Sequence, residues 1–275
     1  MHLSDLVGLV ERELEQVLPA ATEPPATLHA AMRQAILGPG KRLRGALVLA
    51  AAGLISSDLR PALPAAVALE LVHGYSLVHD DLPAMDDAAT RRGHPSLHRA
   101  FGQATAILAG DALLTLAFEV LGRAAPPERA LRCVTELARA AGSRGMVGGQ
   151  QHDTEPGPDR PDPRVIDRLK TGRLFMAAAR CGGILAGADE RRLAALETQA
   201  EHLGAAYQLL DDIADQAEDL PGGRAAPLAG LGEEAARVLA RHHLEEVRAV
   251  LEGLGPRAGL LVQIWQSVSD RECSP

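Results

Sequence analysis

The sequence predicts an all-α protein, and three observations predict it. Apolar residues recur at steps of three and four along most of the chain, as one face of a helix requires. No stretch alternates apolar and polar residues with the period of a strand. Hydrophobic residues make up 47% of the 275 residues but aromatics only 2%, so Ala, Leu and Val must fill the core, and small side chains let helices approach closely.

Leu3, Leu6, Val7, Val10, Leu14 and Leu18 mark the first helix, which the two prolines of residues 22–26 end. Further helices are predicted over residues 28–37, 43–55, 63–78, 98–123, 127–142, 164–186, 189–218, 233–254 and 257–270. Gly/Pro-rich stretches join them. Residues 155–163 hold four prolines, which exclude a helix interior, and are expected on the surface. A second such stretch, residues 220–232, follows an acidic cluster. No solenoid period is present and no linker-like break divides the chain, so one domain over residues 1–275 is expected.

Composition also excludes. A formal charge of −8 argues against a nucleic-acid surface, which calls for a basic patch. Cys133, Cys181 and Cys273 are scattered without metal-ligand spacing, and an odd number cannot complete a disulfide framework, so a reducing cytoplasm is the expected location. Residues 1–15 carry more acids than bases and lack the basic start of a leader, and the longest uncharged stretch, residues 45–57, is too short to span a bilayer. No membrane span is expected.

Two carboxylate clusters carry the chemistry. HDDLPAMDD, residues 79–87, ends a long apolar pattern, and Pro83 should bend the helix there. Its acids therefore fall on a helix C-terminal turn, where the macrodipole disfavours negative charge unless a cation is supplied. In DDIAD, Asp211 and Asp215 are four apart and Asp212 and Asp215 three apart, so the carboxylates share one helix face. An Asp-rich turn on an acidic chain is ordinarily a solvated surface. Two clusters weaken that reading, because DDIAD lies between Leu209-Leu210 and Ile213, inside an apolar helix where acids need partners. Like charges so close raise one another's pKa unless a divalent cation neutralises them. Mg²⁺ suits the set: it takes hard oxygen ligands and bridges one or two carboxylates to substrate phosphates.

A metal-bound diphosphate needs cationic and amide partners, and short basic groups stand near bends. GPGKRLR, residues 38–44, combines glycines for close backbone approach with Lys41 as a point charge and Arg44 as a planar fork. Arg91, Arg92 and Gly93 follow the first acidic cluster, so one loop could hold both metal and diphosphate. His73 lies seven residues before Asp80, two turns away on the same face. MVGGQQHD, residues 146–153, reads as a Gly-rich bend with amides, and LKTG supplies Lys170 and Thr171. Tyr207 and Gln208 precede DDIAD, bringing an aromatic face and an amide beside the acids. No convincing Ser-His or Cys-His pairing is visible, and none is needed.

In this order the motifs GYSLVHDDLPAMDD, RRG, LAGDALLTLAFEVL and YQLLDDIAD resemble those of the trans-prenyl diphosphate synthases, specifically the bacterial-type farnesyl diphosphate synthases, over about residues 38–215. The resemblance implies a single-domain bundle of the isoprenoid synthase type with a deep central cavity, commonly a homodimer. The two aspartate motifs would face each other across three Mg²⁺, held by Asp80, Asp81, Asp86, Asp211, Asp212 and Asp215. Arg91, Lys170, Thr171 and Gln208 would serve the allylic diphosphate. Lys41, Arg44, His73 and Arg92 match positions that hold isopentenyl diphosphate. The implied reaction joins isopentenyl diphosphate to dimethylallyl or geranyl diphosphate, with Asp80, Asp81, Asp86, Lys170, Gln208 and Asp211 at its centre. Product length in such enzymes follows side chains just upstream of the first motif, here Tyr75 and Ser76. A bulky Tyr75 five residues before Asp80 implies the fifteen-carbon (2E,6E)-farnesyl product.

The likeness fails after Asp215. A lysine-bearing Gly-rich loop and turn are shortened to QAEDLPGGRAAPLAG, with Gly223 and Ala225 near the expected Lys and Thr, Pro227 as a remnant and Arg224 as a substitute cation. One lost charge-assisted contact costs on the order of 1.5–3 kcal/mol, enough to slow catalysis without abolishing it. The alternatives are a geranyl or geranylgeranyl diphosphate synthase, a partner-dependent subunit of a heteromeric synthase, a terpene cyclase and a plain helical scaffold.

Overall fold

The structure is a computed structural model that describes residues 1–155, 161–217 and 231–271, without the side chains of residues 215–217. Thirteen α-helices carry the described residues: α1 (Leu3–Val17), α2 (Ala26–Leu37), α3 (Leu43–Ile55), α4 (Leu63–Asp80), α5 (Leu97–Phe101), α6 (Gln103–Gly122), α7 (Pro127–Ala141), α8 (Met146–Thr154), α9 (Pro163–Asp167), α10 (Arg173–Ala186), α11 (Glu190–Ala217), α12 (Glu233–Leu254) and α13 (Gly259–Ser269). The all-α expectation is borne out. The expectations about the segment after Asp215 (Gly223, Arg224, Ala225, Pro227), the Asp215 side chain, the middle of the Pro-rich 155–163 loop and Cys273 fall outside the described residues.

Burial follows pattern. α1 buries Leu6, Val10 and Leu14 along one stripe, as its spacing requires. α3 is buried on almost every side, as a helix of a core's interior must be, and α10 buries all but a side on which Arg180 pairs with Glu136 and Glu197. α3 packs on α10, α4 on α6, and α11 on α12. The buried apolar residues join in one cluster running from Leu6 to Val268.

Small residues set these distances. A Cβ on Gly182 of α10 would overlap the Val48 carbonyl oxygen of α3 and stand 3.0 Å from the Ala51 Cβ. The helices meet backbone to backbone because the core has almost no large aromatics to hold them apart.

Several elements differ from expectation. Residues 98–123 are two helices, because Gly102 sits at φ +85°, a left-handed conformation that breaks the hydrogen-bond ladder. Residues 164–186 are helical throughout but not one α-helix: Arg168–Gly172 is a π-helical turn between α9 and α10. The Gly-rich bend expected at residues 146–153 is instead the helix α8. Its Gly149 serves close packing, since a Cβ there would stand 2.5 Å from the Lys170 backbone nitrogen. A two-stranded hairpin, β1 (Thr90–Arg91) with β2 (His94–Pro95), was not expected at all. It is too short for any periodic signal, and Arg92 (φ +53°) and Gly93 (φ +79°) make its turn. Cys133 of α7 and Cys181 of α10, scattered in sequence, meet in the core as buried free thiols, each Sγ near the other's carbonyl oxygen at 3.6 and 3.8 Å.

Two helical stretches, Arg60–Asp80 and α6, are long and apolar enough to cross a membrane by length and composition. The uncharged-stretch criterion missed them because each carries a few charges. The first is 67% buried and is a core helix; the apolar window of α6 is only 39% buried, with Ile107 and Leu108 exposed.

Replacing glycine by alanine in a helix ordinarily stabilises by about 1 kcal/mol, but at Gly182 the overlap is with backbone that cannot swing away. Gly182→Ala is therefore expected to destabilise by about 1–3 kcal/mol, read as a melting temperature lowered by several degrees; an unchanged or higher value would contradict the tight α3–α10 crossing.

Candidate active site

A cavity of about 870 Å³ opens between α3, α4, α8, the π-helical turn and α11. Its wall includes Lys41, Arg44, His73, Tyr75 and Ser76 from one side of the bundle, and Asp80, Asp86, Arg91 and Arg92 from the end of α4 and the loop beyond it. Lys170, Thr171, Gln208 and Asp211 complete it from the π-helical turn and α11. These residues come from distant parts of the sequence, and the fold brings them to one space.

The first acidic cluster works as a folded-back turn. Asp80 ends α4, Asp81 caps it, and the Asp86 amide donates to the Asp80 carbonyl at 2.9 Å. Asp80 and Asp86 face the cavity. Asp81, expected beside them, instead points into the protein, 3% exposed, and accepts from Arg91 Nε at 3.0 Å and Nη2 at 2.5 Å. Burial pushes the Asp80 carboxyl up to about 6; Lys170 opposes this, Asp86 adds to it, Arg91 opposes and Asp81 adds.

The second cluster divides in the same way. Asp211 lines the cavity and Asp212 is buried, its Oδ1 accepting from Gln208 Nε2 at 2.7 Å. The Gln208 carbonyl oxygen accepts in turn from Thr171 Oγ1 at 2.7 Å, so both ends of this amide are held within the protein. Lys170 Nζ lies 2.8 Å from Asp153 Oδ2 of α8. The π-helical turn presents both Lys170 and Thr171 to the cavity.

The basic side is laced by backbone contacts. Arg92 Nη1 donates to the Pro39 carbonyl at 2.8 Å, tying the hairpin to the turn before α3. Gly40 allows it: a Cβ there would be 2.7 Å from Arg92 Nη1. Arg44 lies 4.9 Å over the Phe175 ring and Lys41 5.7 Å over the Tyr207 ring. Burial, then the charges of Arg44, Arg92, Arg91 and Arg42, pushes the His73 imidazole well below its ordinary value, so it is neutral. Burial also lowers Arg44, with Glu70, Tyr207 and Asp211 acting against it.

Sequence reasoning missed Arg271, which reaches from beyond α13 to donate to Asp211 Oδ1 at 2.5 Å while lying 4.8 Å over the Tyr207 ring. No local pattern near the C-terminus signals this. Glu70 was also missed, although an acid inside the apolar run of α4 is such a signal. It is buried and accepts the Gly45 amide at 2.8 Å, holding the first turn of α3. Ser96 Oγ is 3.1 Å from His98 Nδ1, but His98 Nε2 stands 3.8 Å from Asp87 Oδ1, too far for a hydrogen bond, so the three residues form no relay. Ser96 is only 1% exposed, so no substrate reaches it.

Among the described residues no three His, Cys, Asp or Glu side chains stand close enough to form a ready-made ion cage. The expected convergence of acids on a metal is thus looser than the sequence implied. The donor set still fits Mg²⁺: Asp80, Asp86 and Asp211 offer hard oxygens to one cavity, and Asp80 carries a charge that burial penalises and a cation would relieve. This ion takes one or two carboxylates at a time and completes its shell with phosphate oxygens and water.

Because folding raises the Asp80 pKa, the contribution of this group to stability is fully present below about 4 and is lost as pH rises through about 6. Without divalent cation at pH 7.5, Asp80→Asn is expected to be more stable than wild type by on the order of 2 kcal/mol, the difference vanishing below pH 4. Melting curves across pH check this; a variant no more stable at neutral pH would contradict the strained carboxylate.

Residues 25–221 match the Polyprenyl synthetase family model. Farnesyl diphosphate synthase of Geobacillus stearothermophilus is 43% identical over 201 residues, 70% of this chain and 67% of that protein. The heterodimeric geranylgeranyl pyrophosphate synthase small subunit of Arabidopsis thaliana is 40% identical over 240 residues, 85% of this chain and 72% of that protein. Among solved structures, the apo FPP/GFPP synthase of Zymomonas mobilis superposes with a TM-score of 0.87 at 37% identity, covering 96% of each chain. Fold, motif order and these relatives agree that the chain belongs to the polyprenyl synthetase family of prenyltransferases, among the trans-isoprenyl diphosphate synthases of bacterial farnesyl diphosphate synthase type.

Proposed function

We propose that this protein condenses isopentenyl diphosphate with dimethylallyl and then geranyl diphosphate to give (2E,6E)-farnesyl diphosphate. One observation carries the reading: a single cavity is lined both by acids suited to a cation-bridged diphosphate and by enough basic groups, with His73, to hold a second diphosphate. A terpene cyclase holds one diphosphate and has little use for the second set.

Asp80, Asp86 and Asp211 would hold magnesium, with Asp81, Asp212 and Asp215 as the remaining members of the expected six, and three ions are expected when diphosphate is bound. Once bound, magnesium neutralises charge developing on the leaving diphosphate. Lys170 and Arg91 add positive charge on the same side, and Thr171 and Gln208 fix the adjoining turn. The allylic carbon-oxygen bond then ionises, its electron pair leaving with the diphosphate. Lys41, Arg44, Arg92 and the neutral His73 orient isopentenyl diphosphate so that its double bond attacks the allylic cation. The released diphosphate accepts the proton lost from the new carbon skeleton. Tyr75, buried at the cavity wall and with its hydroxyl pushed up to about 12 by burial and by Asp80, stays un-ionised and closes the path of chain growth.

One domain over residues 1–275 is supported by the continuous core. The apolar, part-exposed α6 supports a homodimer that covers it, rather than a membrane span. The free thiols of Cys133 and Cys181 support a reducing cytoplasm. A second reading, a partner-dependent subunit, is favoured by the relative named as a small subunit and by the short segment after Asp215.

Incubating the purified protein with Mg²⁺, dimethylallyl diphosphate and isopentenyl diphosphate is expected to yield the fifteen-carbon product. No extended product at any concentration favours the subunit, and a cyclic hydrocarbon formed without isopentenyl diphosphate favours a cyclase. Tyr75→Ala is expected to shift the product toward twenty carbons or more; wild-type products from this variant would remove Tyr75 from the pocket floor.

A further inference from the structure

We propose that His79 and Gly110 determine product length by holding Tyr75 in place, with His79 as a positioning residue and Gly110 as the seat that admits it. This rests on the reading of Tyr75 as the floor of the pocket.

Tyr75 and His79 are one helical turn apart on α4 and pack edge to face, with ring centroids 5.7 Å apart and planes at 76°. Alone, a contact within one helix would let both rings swing together. His79 is anchored elsewhere: its Nε2 lies 3.1 Å from the Ile107 carbonyl oxygen of α6. A carbonyl only accepts, so Nε2 carries the proton and donates. The Asp111 carboxylate, 4.0 Å from the same nitrogen, favours that tautomer.

The imidazole reaches this carbonyl by lying against the α6 backbone at Gly110. A Cβ at that position would stand 2.5 Å from His79 Cδ2, 2.8 Å from Cε1 and closer still to Nε2. Gly110 is in the middle of a regular helix with no positive φ, so conformational freedom does not explain it. The space explains it. Tyr75 is thus clamped between its own helix and a ring fastened to the next one. His79 and Tyr75 both line the cavity, so displacing the imidazole frees the phenol ring at the place where a lengthening chain presses on it.

The test measures product lengths from dimethylallyl diphosphate, excess isopentenyl diphosphate and Mg²⁺ with full-length His79→Ala, Gly110→Ala, His79→Gln, Tyr75→Ala and the His79→Ala/Tyr75→Ala double variant. Each is first checked for a cooperative melt, and either single variant at the His79/Gly110 contact suffices if the other does not fold. His79→Ala and Gly110→Ala are expected to raise the ratio of twenty- to fifteen-carbon product about tenfold, the scale of discrimination a pocket wall sets for a small change in apolar length. His79→Gln, whose amide can still donate to the Ile107 carbonyl, is expected to stay close to wild type. Since His79 acts through Tyr75, the double variant should match Tyr75→Ala rather than exceed it. Wild-type product ratios from His79→Ala and Gly110→Ala, beside a lengthened product from Tyr75→Ala, overturn the bracing role and leave the pocket floor standing. Lengthening by His79→Ala with no effect of Tyr75→Ala overturns both.

Discussion

Negative charge held out of water is the constraint on which the rest of this structure depends. Asp80 is half-buried near Asp86 and Asp81, and desolvation together with those neighbours raises its carboxyl to about 6 despite Lys170 and Arg91. The protein answers by sorting its acids. Asp81 is turned inward and neutralised by Arg91, and Asp212 is turned inward onto Gln208. Asp80, Asp86 and Asp211 are left facing the cavity. Arg271 sits on Asp211, so one of those three already carries a protein cation. Such an arrangement stores unfavourable electrostatics at the place where a cation and a diphosphate relieve them.

Close backbone approach is what allows these groups to meet. The core is made of small residues, and glycines stand where helices cross or loops touch: Gly182 against Val48, Gly149 against Lys170, Gly40 against Arg92 and Gly110 against His79. Two of these contacts carry basic residues of the cavity directly. Aromatic residues are scarce, yet both tyrosines line the cavity and Phe175 lies under Arg44. Tyr75 lies in the cavity wall, and Tyr207 and Phe175 give faces to the cations of Lys41, Arg271 and Arg44.

The hairpin and the π-helical turn act as positioning devices. Arg91 and Arg92 are adjacent in sequence but have different partners, Asp81 for one and the Pro39 carbonyl for the other. The left-handed turn at Arg92 and Gly93 divides their directions. Lys170 and Thr171, on the π turn, both reach the cavity, with Lys170 held by Asp153 and Thr171 by Gln208.

Helix existence, the acidic clusters and most of the basic partners were legible in the sequence, because amphipathic spacing and like-charge crowding are local properties. The break at Gly102, the π turn and the two-residue strands were not legible, since each is too short to carry a periodic signal and two of them turn on single residues of positive φ, while the helix at Gly148 and Gly149 depends on close packing against the Lys170 backbone. The sequence by itself determined an all-helical chain with two sets of carboxylates needing cations. Only the tertiary structure decided which carboxylates face the cavity, that Arg271 reaches Asp211 and that His79 lies across α6, because the partner each side chain finds comes from a segment far along the chain or from the fold of the turn beside it.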